Sequence, residues 1–183
     1  MTRLTIFPDD QPDQGTTITD YSEIASTLGE IGVLLEKWEA DQPLSRDAGP
    51  EEVMKAYDSS IKELNEKYAF TTVDVVGLNP DHPDKEAMRQ KFLDEHTHDD
   101  FEIRFFVDGS GIFYLHVDGK VYATLCEKGD LISVPAKTTH WFDMGTAPFF
   151  KCIRFFTTQE GWVGNFTGSK IAKTFPDFDT LAA

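Results

Sequence analysis

Histidine, cysteine and positive charge are all scarce in this 183-residue chain, and each scarcity excludes something. There are two cysteines, Cys126 and Cys152. No CxxC spacing or nearby histidine accompanies them, which argues against a disulfide scaffold or a thiolate metal pair. Both sit in apolar, strand-like runs and are expected as buried free thiols. Lysine and arginine number 17 against 32 acidic residues, giving a net charge of -15 and an isoelectric point of about 4.6. A nucleic-acid backbone or an anionic membrane surface would be repelled, so neither is an expected partner. The acidity is spread over both halves and reads as solvated surface. No apolar run approaches the ~18 residues of a membrane span. The first residues carry Arg3 but then Pro8, Asp9 and Asp10 rather than a secretory apolar run, so a cytoplasmic protein is expected. No internal repeat, long linker or low-complexity segment is evident.

What is present is globular: hydrophobic residues make up 40% and aromatic residues 13%, with 15 phenylalanines. The length suits one domain with a real core. We expect a single domain over 1–183, with a mixed α/β region over 1–70, a β-barrel core over 71–157 and an irregular tail over 158–183. Leu4 to Phe7 is a strand candidate. Asp20 to Gly29 reads as a helix, with Asp20 and Glu23 at capping-box spacing. Val33 to Trp38 fits helix or strand, and Asp41 to Pro50 is a connection. Pro50 opens one helix whose stripe is Val53, Tyr57, Ile61, Leu64 and Tyr68, with Glu51 and Glu52 in its first turn. A strand over Thr71 to Gly77 and a short helix over Asp84 to Leu93 follow. Short β-rich runs then recur at 101–107, 111–117, 120–126, 131–134, 140–143 and 149–157. Turn signals such as Asp108-Gly109 and Asp118-Gly119 separate them. The expected class is mainly β with added helices, an antiparallel β-barrel or jelly roll.

The informative segment is His96-Thr97-His98-Asp99-Asp100-Phe101-Glu102-Ile103-Arg104. In an extended chain alternate side chains share a face. His96, His98, Glu102 and Arg104 would then share one face, with Phe101, Ile103 and Phe105 on the other. Three of the four same-face groups are ligands for first-row metals. A further histidine, His140, follows a strand that ends near Pro135, which is the right topology to bring a third imidazole to the same cavity. Phe142 falls on its face and would help keep the pocket dry. Three neutral imidazoles and one carboxylate would leave a divalent ion with a charge of about +1 and two adjacent octahedral positions open. Nitrogen-rich ligands favour iron, cobalt, nickel, copper or zinc over magnesium and calcium. Arg104 reads as a fixed positive charge for an anionic, metal-chelated substrate. His82 is read as a surface loop residue, and His116 is left outside the site.

These residues resemble the cupin superfamily, whose first motif is G-x5-HxH-x3,4-E-x6-G. His96, His98, Glu102 and Gly109 match it. Gly129, Pro135 and His140 match the second motif, G-x5-PxG-x2-H-x3-N. Gln90, Lys137 and Met144 stand where that pattern has Gly, Gly and Asn; none is a ligand position. Within cupins the chain is more similar to the acireductone dioxygenase family of methionine salvage. That likeness rests on Ile31-Gly32-Val33 with Trp38, on Phe92-Leu93-Asp94-Glu95-His96-Thr97-His98, on the phrase E-H-x-H-x3-E-x-R, and on Val134-Pro135-Ala136 with His140-Trp141-Phe142.

The resemblance implies one Fe(II) or Ni(II) per chain on His96, His98, Glu102 and His140. Arg104 becomes a pocket residue, with catalytic roles for Arg104 and Glu102. Phe92 and Phe142 are expected as pocket walls from their positions. The implied substrates are dioxygen and the acireductone 1,2-dihydroxy-3-keto-5-methylthiopentene, acted on by a monomer. The iron form would give 4-methylthio-2-oxobutanoate and formate, and the nickel form methylthiopropanoate, formate and carbon monoxide. Two other readings compete. A cupin isomerase acting on a phosphosugar would need a basic phosphate site, of which only Arg104 and Lys137 offer a trace. A non-catalytic storage or sensing cupin has less reason to keep all four ligands.

Overall fold

One long strand joins two sheets in the computed structural model, which describes residues 1–183. Strand β6 (Glu102–Val117) crosses from one sheet into the other. Its first half pairs with β8 (Asp130–Val134) and β10 (Phe150–Phe156), which extend to β3 (Leu34–Lys37) and β4 (Thr72–Leu78). Its second half pairs with β7 (Lys120–Glu127) and β9 (Thr139–Asp143). That second sheet continues through β1 (Arg3–Pro8) to β2 (Thr16–Ile18) on one side. On the other it continues to β5 (His96–Thr97) and β11 (Asn165–Phe166). All these pairings are antiparallel, so the fold is the mainly β, antiparallel class expected.

The runs 101–107 and 111–117 were expected as separate strands with a turn at Asp108-Gly109; they are one bent strand. Gly109 has φ +66°, and a Cβ there would lie 2.0 Å from the Phe149 carbonyl oxygen. The partner strand shifts register at Lys151/Cys152 opposite it. The left-handed glycine and the bulge therefore bend the strand rather than reverse it. The bend also changes which parity faces inward. Phe106 faces the barrel interior before it, and Phe113 and Leu115 after it.

Five helices dress the barrel: α1 (Tyr21–Glu30), α2 (Pro50–Ala56), α3 (Asp58–Tyr68), α4 (Lys85–Leu93) and α5 (Phe178–Leu181). The Asp20 side chain accepts from the Glu23 N–H at 2.9 Å, which caps α1 as its spacing foretold. Residues 33–38, open to helix or strand, supply β3. The single helix expected from Pro50 to Tyr68 is two, because Tyr57 leaves helical geometry at φ -107°, ψ 20°. Tyr57 sets its ring edge-on to Phe105 at 5.6 Å and is buried with Val53 and Leu64. These helices cover the outer face of β6, so Ile103 and Phe105 are buried on the side opposite Glu102 and Arg104. The tail is more ordered than expected. It forms β11, a 3-10 turn at Ile171–Lys173 and α5, and Phe175 packs on Trp141 and Phe7. No helix is long and apolar enough to cross a membrane.

Candidate metal centre

His96 lies opposite His140 in the β5–β9 pairing, and β11 pairs with β5 on its other side. The chain then bends at Asp99 and Asp100 rather than running straight as expected, and re-enters a strand at Glu102. The bend keeps the even-numbered set inward: His96, His98, Asp100, Glu102 and Arg104 are all buried, while Phe101 is 48% exposed. Lys137 precedes His140 in left-handed geometry at φ 64°, the geometry that explains why the motif carries glycine there. Its N–H donates to the His98 carbonyl at 2.7 Å, tying the two histidine-bearing segments together.

One ring nitrogen from each of His96, His98 and His140 falls within 4.8 Å of the other two. Each histidine has its Nδ1 against a backbone carbonyl: His96 on Asp94 at 2.8 Å, His98 on Val163 at 2.9 Å and His140 on Thr138 at 2.8 Å. A carbonyl only accepts, so each Nδ1 carries the proton and each Nε2 offers a lone pair. Glu102 Oε2 lies 3.1 Å from His98 Nε2 and 3.3 Å from His140 Nε2. Four acceptors thus face one another in a buried space. That is repulsive unless a cation sits among them, and the donor set fits a divalent transition metal.

The charges agree. Burial, then the neighbouring His140, pushes His96 down to about 4, so this imidazole is neutral. Burial also works to raise Glu102, but the opposing influences, led by the charge of Arg104, hold the carboxyl well below its usual range. For His98 burial works downward, and the hydrogen bond and charge of Glu102 outweigh it, so its proton affinity is raised. A proton on His98 would satisfy that one pair; a divalent ion satisfies all four groups.

Arg104 closes the inner end of the site. Its Nε and Nη2 donate to Glu102 Oε1 at 2.9 and 2.5 Å, leaving Oε2 for the metal side. Its guanidinium lies 4.4 Å from the Phe142 ring centroid, 4.8 Å from Phe113 and 5.7 Å from Phe92. The buried Nη1 has no hydrogen-bond partner in the protein. Phe92 and Phe142, expected as pocket walls, both stand beside this guanidinium. Phe113 was missed because the bend in β6 reverses its parity. The Val163 carbonyl was missed because a backbone acceptor leaves no mark in a sequence. His82 stands apart, its Nδ1 accepting from the Asp84 N–H at 3.1 Å. His116 is held outside the cluster between Glu95, at 2.8 Å, and Asp9, at 3.2 Å. Cys126 and Cys152 are buried and free.

Comparisons with known proteins show the family. A family model described as the ARD/ARD' family matches residues 3–164. An acireductone dioxygenase of Hydrogenobaculum sp. is 55% identical over 166 residues, 91% of each chain. One from Parvibaculum lavamentivorans is 53% identical over 181 residues, 98% of each chain. A solved structure, acireductone dioxygenase from Bacillus anthracis with a cadmium ion in its active centre, is 30% identical. It superposes with a TM-score of 0.78 over 91% of this chain and 98% of its own. The chain therefore belongs to the ARD/ARD' family, the acireductone dioxygenases.

Proposed function

We propose that the chain holds one Fe(II) or Ni(II) ion on His96, His98, His140 and Glu102. With it the enzyme cleaves the acireductone 1,2-dihydroxy-3-keto-5-methylthiopentene using dioxygen, as a step of methionine salvage. The observation that carries this reading is the convergence of three tautomer-fixed imidazoles and one carboxylate beside a buried arginine nitrogen that lacks an acceptor. Once bound, the ion would supply Lewis acidity and a template for the substrate and dioxygen. The chain's own residues do the rest. Arg104 Nη1 donates to an oxygen of the enediolate substrate, whose negative charge answers a buried guanidinium. Arg104 also grips Glu102 Oε1, so the carboxylate presents one oxygen and cannot swing. Phe92, Phe113 and Phe142 exclude water around that guanidinium, which strengthens its hold on an anion. Two free buried thiols suit a reducing cytoplasm.

The test uses protein stripped of metal under anaerobic conditions and reloaded with Fe(II) or Ni(II). Acireductone and oxygen are then added and the products identified. The iron portion is expected to give 4-methylthio-2-oxobutanoate and formate. The nickel portion is expected to give methylthiopropanoate, formate and carbon monoxide. Oxygen uptake no faster than a protein-free blank in both portions would refute the dioxygenase reading and leave an isomerase as the next candidate. The Irving–Williams order makes nickel bind this set more tightly than iron, so the metal found in a preparation does not identify the working one.

A further inference from the structure

Two of the three candidate histidine ligands orient themselves locally: His96 uses the carbonyl of Asp94 and His140 that of Thr138, each two residues earlier. His98 differs. Its acceptor is the Val163 carbonyl, 65 residues away, on a segment that packs against the histidines. Gly164 sits over the His96 ring, where a Cβ would be 3.4 Å from it, and the Phe166 ring lies 5.5 Å from the His96 ring. Burial does not hold this segment in place, because Trp162, Val163 and Phe166 are 54%, 41% and 60% exposed. The β11–β5 pairing at Asn165 and Phe166 does so in the middle, and polar ties do so at both ends. At the start, the buried Asp100 accepts from the N–H groups of Thr157 and Thr158, at 2.7 and 2.8 Å, and from the Thr157 hydroxyl. At the end, the buried Glu95 accepts from the Thr167 hydroxyl at 2.8 Å, and its carbonyl takes the Thr167 N–H at 3.1 Å. The second oxygen of Glu95 is braced by His116, itself held by Asp9.

We propose that Glu95 and Asp100 are positioning residues. They flank the two histidines in sequence and clamp residues 157–167 at both ends, so that Val163 aims the Nε2 lone pair of His98 at the metal. Fixing both ends of an exposed segment removes the freedom by which its middle would drift. An outer partner that orients a metal-binding imidazole is worth about tenfold or more in metal affinity. The inference rests on His98 being a ligand, and the experiment separates the two claims.

Thr157 and Thr167 are both exposed, so substitution there leaves the core alone. The zinc-loaded chain, labelled with 15N in histidine, reports each imidazole separately. In a Thr157→Val/Thr167→Val variant the Nδ1–H proton of His98 is expected to exchange with solvent at least about tenfold faster, and zinc affinity to fall about tenfold. The protons of His96 and His140 should keep their rates. Thr157→Ser/Thr167→Ser, which keeps both hydroxyls, should restore His98. Asp100→Ala, which also removes the acceptor of the Thr157 and Thr158 N–H groups, should accelerate His98 further; wild-type exchange at His98 in both variants would overturn the proposal. So would equal acceleration at all three histidines, since that reports general loosening. If the wild-type chain shows no zinc-ligated imidazoles, the metal centre itself is refuted and the clamp falls with it.

Discussion

A histidine binds a metal well only when one nitrogen is free and the other is tied down. His96, His98 and His140 meet that condition through three backbone carbonyls. We expect His96→Ala or His98→Ala to remove most bound metal and all turnover. Retention of a full equivalent by both variants, measured by elemental analysis, would contradict the ligand assignment. Arg104 has a separate task. Arg104→Ala should keep the metal yet lose turnover by about 100-fold or more. It also strips Glu102 of its guanidinium, which destabilises the metal-free protein by about 3–5 kcal/mol. Added nickel should restore much of that loss, since the ion then answers the carboxylate; loss of metal on mutation would instead make Arg104 a structural partner of Glu102. The even parity of His96, His98, Glu102 and Arg104 was legible in the sequence, as was the reach of His140. Asp99 and Asp100 bend the segment without changing which side chains face inward. Val163 and Phe113 were not legible. One acts through its backbone, and the other depends on a bend that alternation alone does not reveal.

At the scale of elements, β6 carries Glu102, the arginine and Phe113, and its bend places them on one interior. Gly111 is critical there, because a Cβ would fall 2.2 Å from the tip of the Phe142 ring. That ring is also the nearest aromatic to Arg104. Gly111→Ala should destabilise the protein by about 1–3 kcal/mol through overpacking. Metal content should stay unchanged, because the clash involves Phe142 rather than a ligand. Denaturant unfolding together with metal analysis checks this; unchanged stability would show that Phe142 has room the close approach denies. The sequence signals for β7, β8, β9 and β10 read correctly because short β-rich apolar runs and turn residues agreed. They failed where a local signal had two outcomes. Asp108-Gly109 bends a strand rather than ending it, and Tyr57 divides what its apolar stripe presents as one helix. The short β5 and β11 gave no periodic signal, since two residues cannot show a period.

Across the whole molecule the acidic composition serves as surface, but a few carboxylates hold distant parts together. The buried Asp143 takes a bidentate bond from Arg89 of α4 and the N–H of Phe178, joining α4, β9 and the C-terminal helix. Burial would raise its carboxyl, but the Arg89 hydrogen bond and the N–H groups of Phe178 and Gly145 lower it. Its stabilising contribution is therefore present above the ordinary carboxylate range of about 4 and is lost as the pH falls through its lowered value. His116 has the opposite sign. Burial works downward, but hydrogen bonds to Glu95 and Asp9 raise it. Its contribution is full below about 6.5 and is lost as the pH rises through its raised value. Thermal unfolding of the metal-free protein against pH should show His116→Gln losing stability relative to wild type below about 6.5, with the difference shrinking at higher pH. A difference independent of pH would mean the imidazolium contributes nothing beyond its packing.

The measurement that bears most directly on the whole account is the anomalous scattering of crystals loaded with Ni(II). The account predicts a single strong peak per chain, about 2.0–2.2 Å from Nε2 of His96, His98 and His140 and from one Glu102 oxygen, with Arg104 still on the other oxygen. A peak elsewhere, or one bound by the three histidines with Glu102 turned away, would contradict it.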